Sequence, residues 1–377
     1  MSVENCVYGY DLRKATTPVI QQPTLHLSPI LQHQDDVNQL QLVRYQPPPA
    51  RPTLNSNNKK KSTKKKSKPQ PQPPSLYLAS CDDAGTVRLT DLYTTTATPT
   101  CQVFAHDPNR VSLVPACCFR PVLPSSSASH KPSSNLEFVS GGTDCKLHLW
   151  NVGSTRISNP KPTSSLTMTA PDETQTTDNH NTEPQKPQVC NPPMIYSLDF
   201  SPSGQLLAAG LGNGDVSLLR ISGSSSASSS RSKLVQAGWL TPGHDASVAS
   251  VVFPSFCHDN ERVLLTAGND GAILCWDLGS SEAFWGSSAV PNNPRELFAE
   301  ALVVAPDDET NNTNLTDQME GLSLVEQEET PKILFGIPHG TKPNWMVTSG
   351  KGGDSAAGTL FVADTSNDIT AYSIPLR

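Results

Sequence analysis

His244, Thr266, Asp270 and Trp276 are the residues of this sequence whose types and spacing best suit joint chemistry. An imidazole carries one nitrogen on each side of its ring. It can bond a carboxylate with one and a hydroxyl with the other, and that hydroxyl can still accept an indole N–H. Buried singly, each of these groups is costly; buried as a chain, each satisfies the next. The same types recur as His106, Ser140, Asp144 and Trp150. In both sets the hydroxyl precedes the carboxylate by four residues and the carboxylate precedes the indole by six. The chemistry implied is structural: His106 and His244 tie strands together and are read as neither bases nor metal ligands.

Other candidate chemistry is sparse. No nucleophile elbow is present, and no two carboxylates are brought together by spacing. Gly210-Leu211-Gly212-Asn213-Gly214 superficially resembles a phosphate loop but lies between two strand-like runs, where it reads as a turn. Ser349-Gly350-Lys351-Gly352 lacks the earlier glycine of a phosphate loop and no helical pattern follows it. The nine cysteines are odd in number and show no Cys-x-x-Cys spacing, and four of them, Cys117, Cys118, Cys145 and Cys275, fall in or beside strand-like runs. They read as small buried residues of an intracellular chain, without a disulfide framework or a zinc site. No catalytic residue, cofactor or metal is therefore expected, and the chain is not read as an enzyme. The N-terminus, MSVENCVYGYDLRK, lacks the apolar core of a signal peptide, and no apolar run is long enough to span a bilayer. The two glycosylation sequons, Asn311-Asn312-Thr313 and Asn314-Leu315-Thr316, are accordingly expected to be silent.

The elements that must position the two sets are short strands. Val263–Ala267 is apolar and β-prone, Asn269-Asp270-Gly271 supplies residues that tolerate positive φ, and Ala272–Leu278 ends in Trp276-Asp277. Upstream, Gly243-His244 opens the apolar run Val248–Phe253. This order of parts repeats along the chain. A stub, Cys6–Leu12, ends in Tyr10-Asp11-Leu12-Arg13. A first copy follows as Leu25–Leu31, His33, Val37–Val43, Leu76–Ser80 and Thr86–Leu92. A second has Ala105-His106, Ser112–Phe119, Phe138–Ser140 and Lys146–Val152. A third has Met194–Phe200, Leu206–Ala209 and Asp215–Ile221. The fourth is the one above, with Lys233–Trp239 as its outer strand. The fifth has Ile333–Ile337, His339-Gly340, Trp345–Thr348, Thr359–Ala363 and Ile369–Ile374, with Tyr372 near the indole position. The first copy keeps Ser80 but has Ala84 and Thr90 at the other offsets, and the third has Ala209, Asn213 and Leu219. Both are expected to lack the polar chain and to rely on apolar packing.

Hydrophobic content of 36% and 34 prolines are unlike a chain packed throughout. The low-complexity stretches 47–75, 121–134, 153–191, 222–232 and 280–330 are expected to be disordered inserts within one domain spanning 1–377. Net charge is −7, while Lys59, Lys60, Lys61, Lys64, Lys65, Lys66 and Lys68 form one basic run, so the remainder is distinctly acidic. An acidic body without aromatics interleaved in the basic run makes nucleic acid an unlikely partner. The run has three readings: a nuclear import signal, a phosphate- or RNA-binding tail, or a solvated loop.

A Gly-His pair, an inner strand, two more strands and a closing Trp-Asp resemble the WD40 repeat, one blade of a β-propeller. The expected fold is all-β: a WD40 propeller with five recognisable blades and a partial N-terminal one. More narrowly, the chain resembles the WD repeat-containing protein 53 family. The resemblance rests on Thr330-Pro331-Lys332-Ile333-Leu334, Pro338-His339-Gly340, Asn344-Trp345 and Leu360-Phe361-Val362-Ala363-Asp364 in the closing repeat, on LLTAGNDGAILCWD in the preceding one, and on LASCDDAG and FVSGGTD earlier. It covers the five copies and the stub but not the inserts. It implies seven blades, of which this sequence would lack the first and most of the second. Either the gene model is truncated or a partner supplies the missing surface; an open ring would leave strand edges exposed. Asp11 and Arg13 match the end of the WDxR motif, with Tyr10 in the Trp place, whereas Tyr93, Gly153 and Gly279 stand at the Arg position of other copies. In WD40 proteins that motif marks substrate receptors of cullin-4 ubiquitin ligases that dock on the adaptor damaged-DNA-binding protein 1. Arg13 is thus either a solvated turn residue or the adaptor contact. The resemblance implies a non-enzymatic scaffold acting as such a receptor, in nucleus or cytoplasm. The alternative is a nuclear scaffold for ribonucleoprotein or chromatin assembly, independent of ubiquitin.

Overall fold

The computed structural model describes residues 8–9, 25–26, 33–45, 75–92, 101–106, 112–121, 136–152, 160–169, 191–222, 232–241, 243–257, 261–279, 331–350, 357–366 and 368–375. Strands β1 (Tyr8–Gly9) and β2 (Leu25–His26) form a two-stranded pair. The first four-stranded sheet runs β3 (Val37–Tyr45), β4 (Ser75–Asp82), β5 (Thr86–Asp91), β6 (Cys101–Ala105). The second runs β7 (Ala116–Phe119), β8 (Glu137–Gly141), β9 (Lys146–Asn151), β10 (Ser164–Thr167). The third is β11 (Ile195–Phe200), β12 (Leu206–Leu211), β13 (Val216–Ser222), β14 (Lys233–Leu240). The fourth is β15 (Val248–Val252), β16 (Val263–Gly268), β17 (Ala272–Asp277), β18 (Lys332–Pro338). A three-stranded sheet of β19 (Pro343–Ser349), β20 (Ala357–Asp364) and β21 (Ile369–Pro375) completes the series. Each sheet is a meander of strands in chain order, so these are five blades of the β-propeller type.

Local sequence explains the blades. Second strands carry the continuous apolar runs: β12, LLAAGL, and β16, VLLTAG, are buried at every position. Between β16 and β17 the chain reverses at Asn269-Asp270-Gly271. Gly271 takes φ +82°, a left-handed conformation that a side chain would strain.

Repeat and blade are offset by one strand. The outer strand that opens a copy in sequence pairs with the blade before it: β18 with β17, β6 with β5, and β2 with β1. One expectation needs correction. The insert 153–191 is not wholly without structure, because β10 lies inside it and pairs along β9 from Ser164↔Leu149 to Thr167↔Lys146. Polar composition hid this strand, but a fourth strand needs little apolar surface: its burial alternates between half-buried and exposed. Residues 47–74, 122–134, 153–159, 170–190, 223–231 and 280–330 of the expected inserts lie outside the described residues.

The chain divides into two compact units. The first comprises Met1–Ala170, Pro192–Leu198 and Ile221–Val235; the second comprises Pro171–Asn191, Asp199–Arg220 and Gln236–Arg377. The core of the first is aromatic. Phe104 stands edge-on to Phe138 at 5.0 Å and to Trp150 at 5.2 Å, the geometry that sets the positive edge of one ring on the negative face of another. The second has aliphatic cores, one around Leu206, Leu218, Val251, Leu264 and Trp276, another around Leu265, Ile273, Met346 and Leu360.

Within each unit, first strands of successive blades are tied by side chains that accept backbone N–H groups. Gln39 Oε1 accepts from Cys117 N–H at 2.7 Å, and Gln41 Oε1 accepts from Phe119 N–H. In the second unit Asp199 Oδ2 accepts from Phe253 N–H at 2.7 Å and Ser250 Oγ from Met346 N–H at 3.1 Å. A first strand is a sheet edge, so alternate N–H groups have no ladder partner; these side chains supply one.

Candidate functional site

The polar centres of the blades are the chemically densest places among the described residues. In the fourth blade the chain is continuous. His244 Nδ1 lies 3.1 Å from Asp270 Oδ2 and its Nε2 lies 2.8 Å from Thr266 Oγ1, which accepts the Trp276 indole N–H at 2.9 Å. A neutral ring with its proton on Nδ1 satisfies every member: Asp270 and Thr266 Oγ1 accept, and the threonine hydroxyl donates to Nε2. Burial lowers the His244 pKa against the opposing attraction of Asp270, consistent with that neutral form. Asp270 is held in turn by the backbone N–H groups of Asp245 and Ala272.

In the second blade the four named residues also meet, but the chain is opened at one link. Trp150 donates to Ser140 Oγ at 2.8 Å and His106 Nδ1 lies 3.2 Å from Asp144 Oδ2. His106 Nε2, however, faces the backbone oxygen of Ser140 at 3.5 Å rather than its hydroxyl. Burial tends to raise the Asp144 pKa, but the His106 bond and charge and the Lys146 backbone N–H outweigh it, and the pKa is lowered. His148 stands beside them, its ring edge-on to His106 at 4.2 Å. Its Nδ1 is 2.7 Å from Ser165 Oγ, and its Nε2 is buried without a hydrogen-bond partner among the described residues. Burial first, and the charge of His106 second, push the His148 pKa down to about 4.

The first blade corrects the sequence reading. It holds a polar centre after all: His33 Nδ1 lies 2.7 Å from Asp82 Oδ2 and Nε2 lies 2.7 Å from Ser80 Oγ. Asp82 follows the hydroxyl by two residues instead of four. Burial raises the Asp82 pKa, and the hydrogen bonds from His33 and Thr86 more than reverse this. The last blade uses the same position. His339 Nε2 lies 2.9 Å from Asp364 Oδ2 and Nδ1 lies 2.7 Å from the Tyr372 hydroxyl. Tyr372 is paired with Leu360 as Trp276 is with Leu264, so its phenol occupies the indole position and reaches the histidine without an intervening hydroxyl.

Register explains the two offsets. Asp82 and Asp364 stand where Gly142 and Gly268 stand in the other two blades. A Cβ on Gly142 would come 2.8 Å from His106, and one on Gly268 would come 2.4 Å from His244 Nδ1. A carboxylate therefore reaches the histidine from the strand end, or from the turn two residues later with glycine at the strand end. The missed centres were signalled by His33 and His339 themselves, each at the usual distance before an inner strand. A fixed offset for the aspartate concealed their partners. In the third blade, the turn residue Asn213 donates to Asp215 at 2.6 Å.

Asp11, Arg13 and Lys59, Lys60, Lys61, Lys64, Lys65, Lys66 and Lys68 lie outside the described residues. The nearest described residues to the Tyr10-Asp11-Leu12-Arg13 motif are Tyr8 and Gly9, paired with His26 and Leu25.

With this geometry in place, comparison with known proteins defines the class. The family described as WD domain, G-beta repeat matches residues 188–218 and 237–277. The chain is an all-β protein built from WD40 propeller blades. The narrower resemblance is borne out at family level. The chain is similar to the WD repeat-containing protein 53 homolog of Dictyostelium discoideum, 23% identical over 301 residues, which covers 79% of this chain and 64% of that protein. It thus spans under two thirds of the length of the relative it matches. A solved structure, the Cps50 (Swd1) β-propeller domain of Myceliophteria thermophila, aligns with a TM-score of 0.44 and 9% identity, covering 79% of this chain and 66% of that one.

Proposed function

We propose that this chain is a substrate receptor of a cullin-4 ubiquitin ligase and docks on the adaptor damaged-DNA-binding protein 1 through Asp11 and Arg13. The coarser role is that of WD40 propellers in general, which present blade faces and loops to protein partners and are typically non-catalytic. The finer reading rests on Tyr10-Asp11-Leu12-Arg13. Support comes from the strand before it: β1 pairs with β2 as β17 pairs with β18, so Tyr10-Asp11 follows the strand that corresponds to the one ending in Trp276-Asp277. A guanidinium is planar and permanently charged and forks onto carboxylates or carbonyls, which suits a docking arginine. The second element is the Lys59–Lys68 run, proposed as a nuclear import signal on an otherwise acidic chain.

The test is a quantitative pull-down of the full chain from cells. Wild type is expected to bring down the adaptor and cullin-4. Arg13→Ala, and Arg13→Lys nearly as much, should weaken this by roughly thirtyfold, the loss expected of a buried interface arginine at about 2 kcal/mol. Adaptor capture undiminished in both variants would remove the motif. Chromatin or ribonucleoprotein components in place of the adaptor would replace the ligase reading with the scaffold one.

A further inference from the structure

The second blade departs from the fourth in three linked ways. The position that faces the blade hydroxyl across the second and third strands is Leu274 in the fourth blade, opposite Thr266, and His148 in the second, opposite Ser140. In the fourth blade the histidine reaches the hydroxyl at 2.8 Å; in the second it does not. Last, His148 Nε2 is buried and has no hydrogen-bond partner among the described residues, in a residue only 6% exposed.

The hydrogen-bond inventory around His106 is also incomplete in a specific sense. Its Nδ1 faces a carboxylate and its Nε2 faces a carbonyl, and both are acceptors. A neutral imidazole has one N–H and cannot serve both. Either a second proton or a metal cation on the Nδ1 side resolves this; with a metal there, the ring carries its proton on Nε2 toward Ser140 O.

We propose that His106, Asp144 and His148 form a divalent transition-metal site, best suited to Zn²⁺. Donor atoms from the three side chains lie within 4.8 Å of one another. His106 Nδ1 and Asp144 Oδ2 are already 3.2 Å apart, close to the roughly 3.3 Å between neighbouring ligands of a tetrahedral zinc with bonds of about 2.0–2.1 Å. His148 has the outer contact that zinc-bound histidines show: its Nδ1 can donate to Ser165 Oγ at 2.7 Å, fixing the tautomer that leaves a lone pair on Nε2. Two imidazoles and one carboxylate suit zinc and leave a fourth position open to water. The Asp144 side chain, 14% exposed, gives access. One group opposes binding: Lys146 Nζ lies 3.9 Å from Asp144 Oδ2 and must give way to the ion.

Zn²⁺ and Co²⁺ are added singly to the full metal-free chain, and binding is followed by equilibrium dialysis and, for cobalt, by the visible band of a four-coordinate site. Wild type should retain one ion per chain. Ser165→Ala should weaken binding about tenfold to a hundredfold, as loss of an outer-shell partner does. His148→Leu, which installs the fourth blade's residue, should weaken it further, and Lys146→Ala should tighten it. Unchanged apo melting of Ser165→Ala and Lys146→Ala keeps the test valid if His148→Leu folds poorly. Equal retention by wild type and His148→Leu, no retained ion in wild type, or weaker binding by Lys146→Ala would overturn the proposal.

Discussion

Trp276 shows what one side chain contributes. It is 3% exposed, lies in an aliphatic core and donates its indole N–H to a threonine that is also committed to His244. Replacing it with alanine removes the ring and strands its partners, so Trp276→Ala should cost about 3–5 kcal/mol in urea unfolding. A loss under 1 kcal/mol would show that the polar chain is dispensable. The two offsets of the aspartate give a sharper test. Asp82→Gly should cost about 2 kcal/mol or more, since it leaves buried His33 without its carboxylate. Adding Ala84→Asp places a carboxylate four residues after Ser80, as in the other pattern, and should recover much of the loss; Ala84→Asp alone should not stabilise. Melting curves of the three variants decide this. At this scale the sequence was half legible. Matching offsets brought out His106, Ser140, Asp144 and Trp150 and their counterparts, because glycine at the strand end forces the aspartate into the turn. The same rule of fixed spacing hid Asp82 and Asp364, which need no glycine because they are themselves the strand-end residue.

At the scale of elements, first strands are joined by side chains that cap edge N–H groups, and one of these is a carboxylate. Asp199 accepts from Phe200 and Phe253, yet burial pushes its pKa up to about 7 against those two bonds. A carboxyl that holds its proton more tightly when folded contributes stability that is fully present below its unfolded pKa near 3.8 and is lost as pH rises through 7. His244 acts in the opposite sense, because its lowered pKa costs stability as pH falls below its unfolded value. The wild-type profile alone would therefore mix the two, and a difference between proteins is needed. The stability of Asp199→Asn relative to wild type should rise between pH 4.5 and pH 7.5, by about 3 kcal/mol. A difference that does not change with pH would mean that Asp199 is ionised throughout. Strand positions were largely readable here, since β12 and β16 are apolar runs bounded by turn residues. The pairing of strands was less so. Nothing in residues 233–239 says whether they lie against the blade before or the blade after. And β10 is spelled in serine, leucine and threonine because a fourth strand is half solvated.

The whole molecule carries an acidic balance of charge with one concentrated basic run. If that run is an import signal, a reporter fused to residues 47–74 should accumulate in the nucleus, and diffuse fluorescence throughout the cell would remove the assignment. Arg13→Ala should lower adaptor capture while leaving the melting temperature unchanged, which separates a lost contact from a lost fold. Glycine and aspartate exchange places at the strand end between blades. The two ways of supplying a carboxylate are compatible with the same histidine but not with each other's intermediates. A blade that gains the strand-end aspartate while keeping the one in the turn presses a Cβ and a second anion against the ring. A blade that loses the turn aspartate first leaves the histidine unpaired. Each solution is thus a local optimum of the sequence, and drift from one to the other requires two substitutions in near succession. Blades of one chain can therefore hold different solutions, and a repeat defined by one spelling will count fewer repeats than there are folded blades.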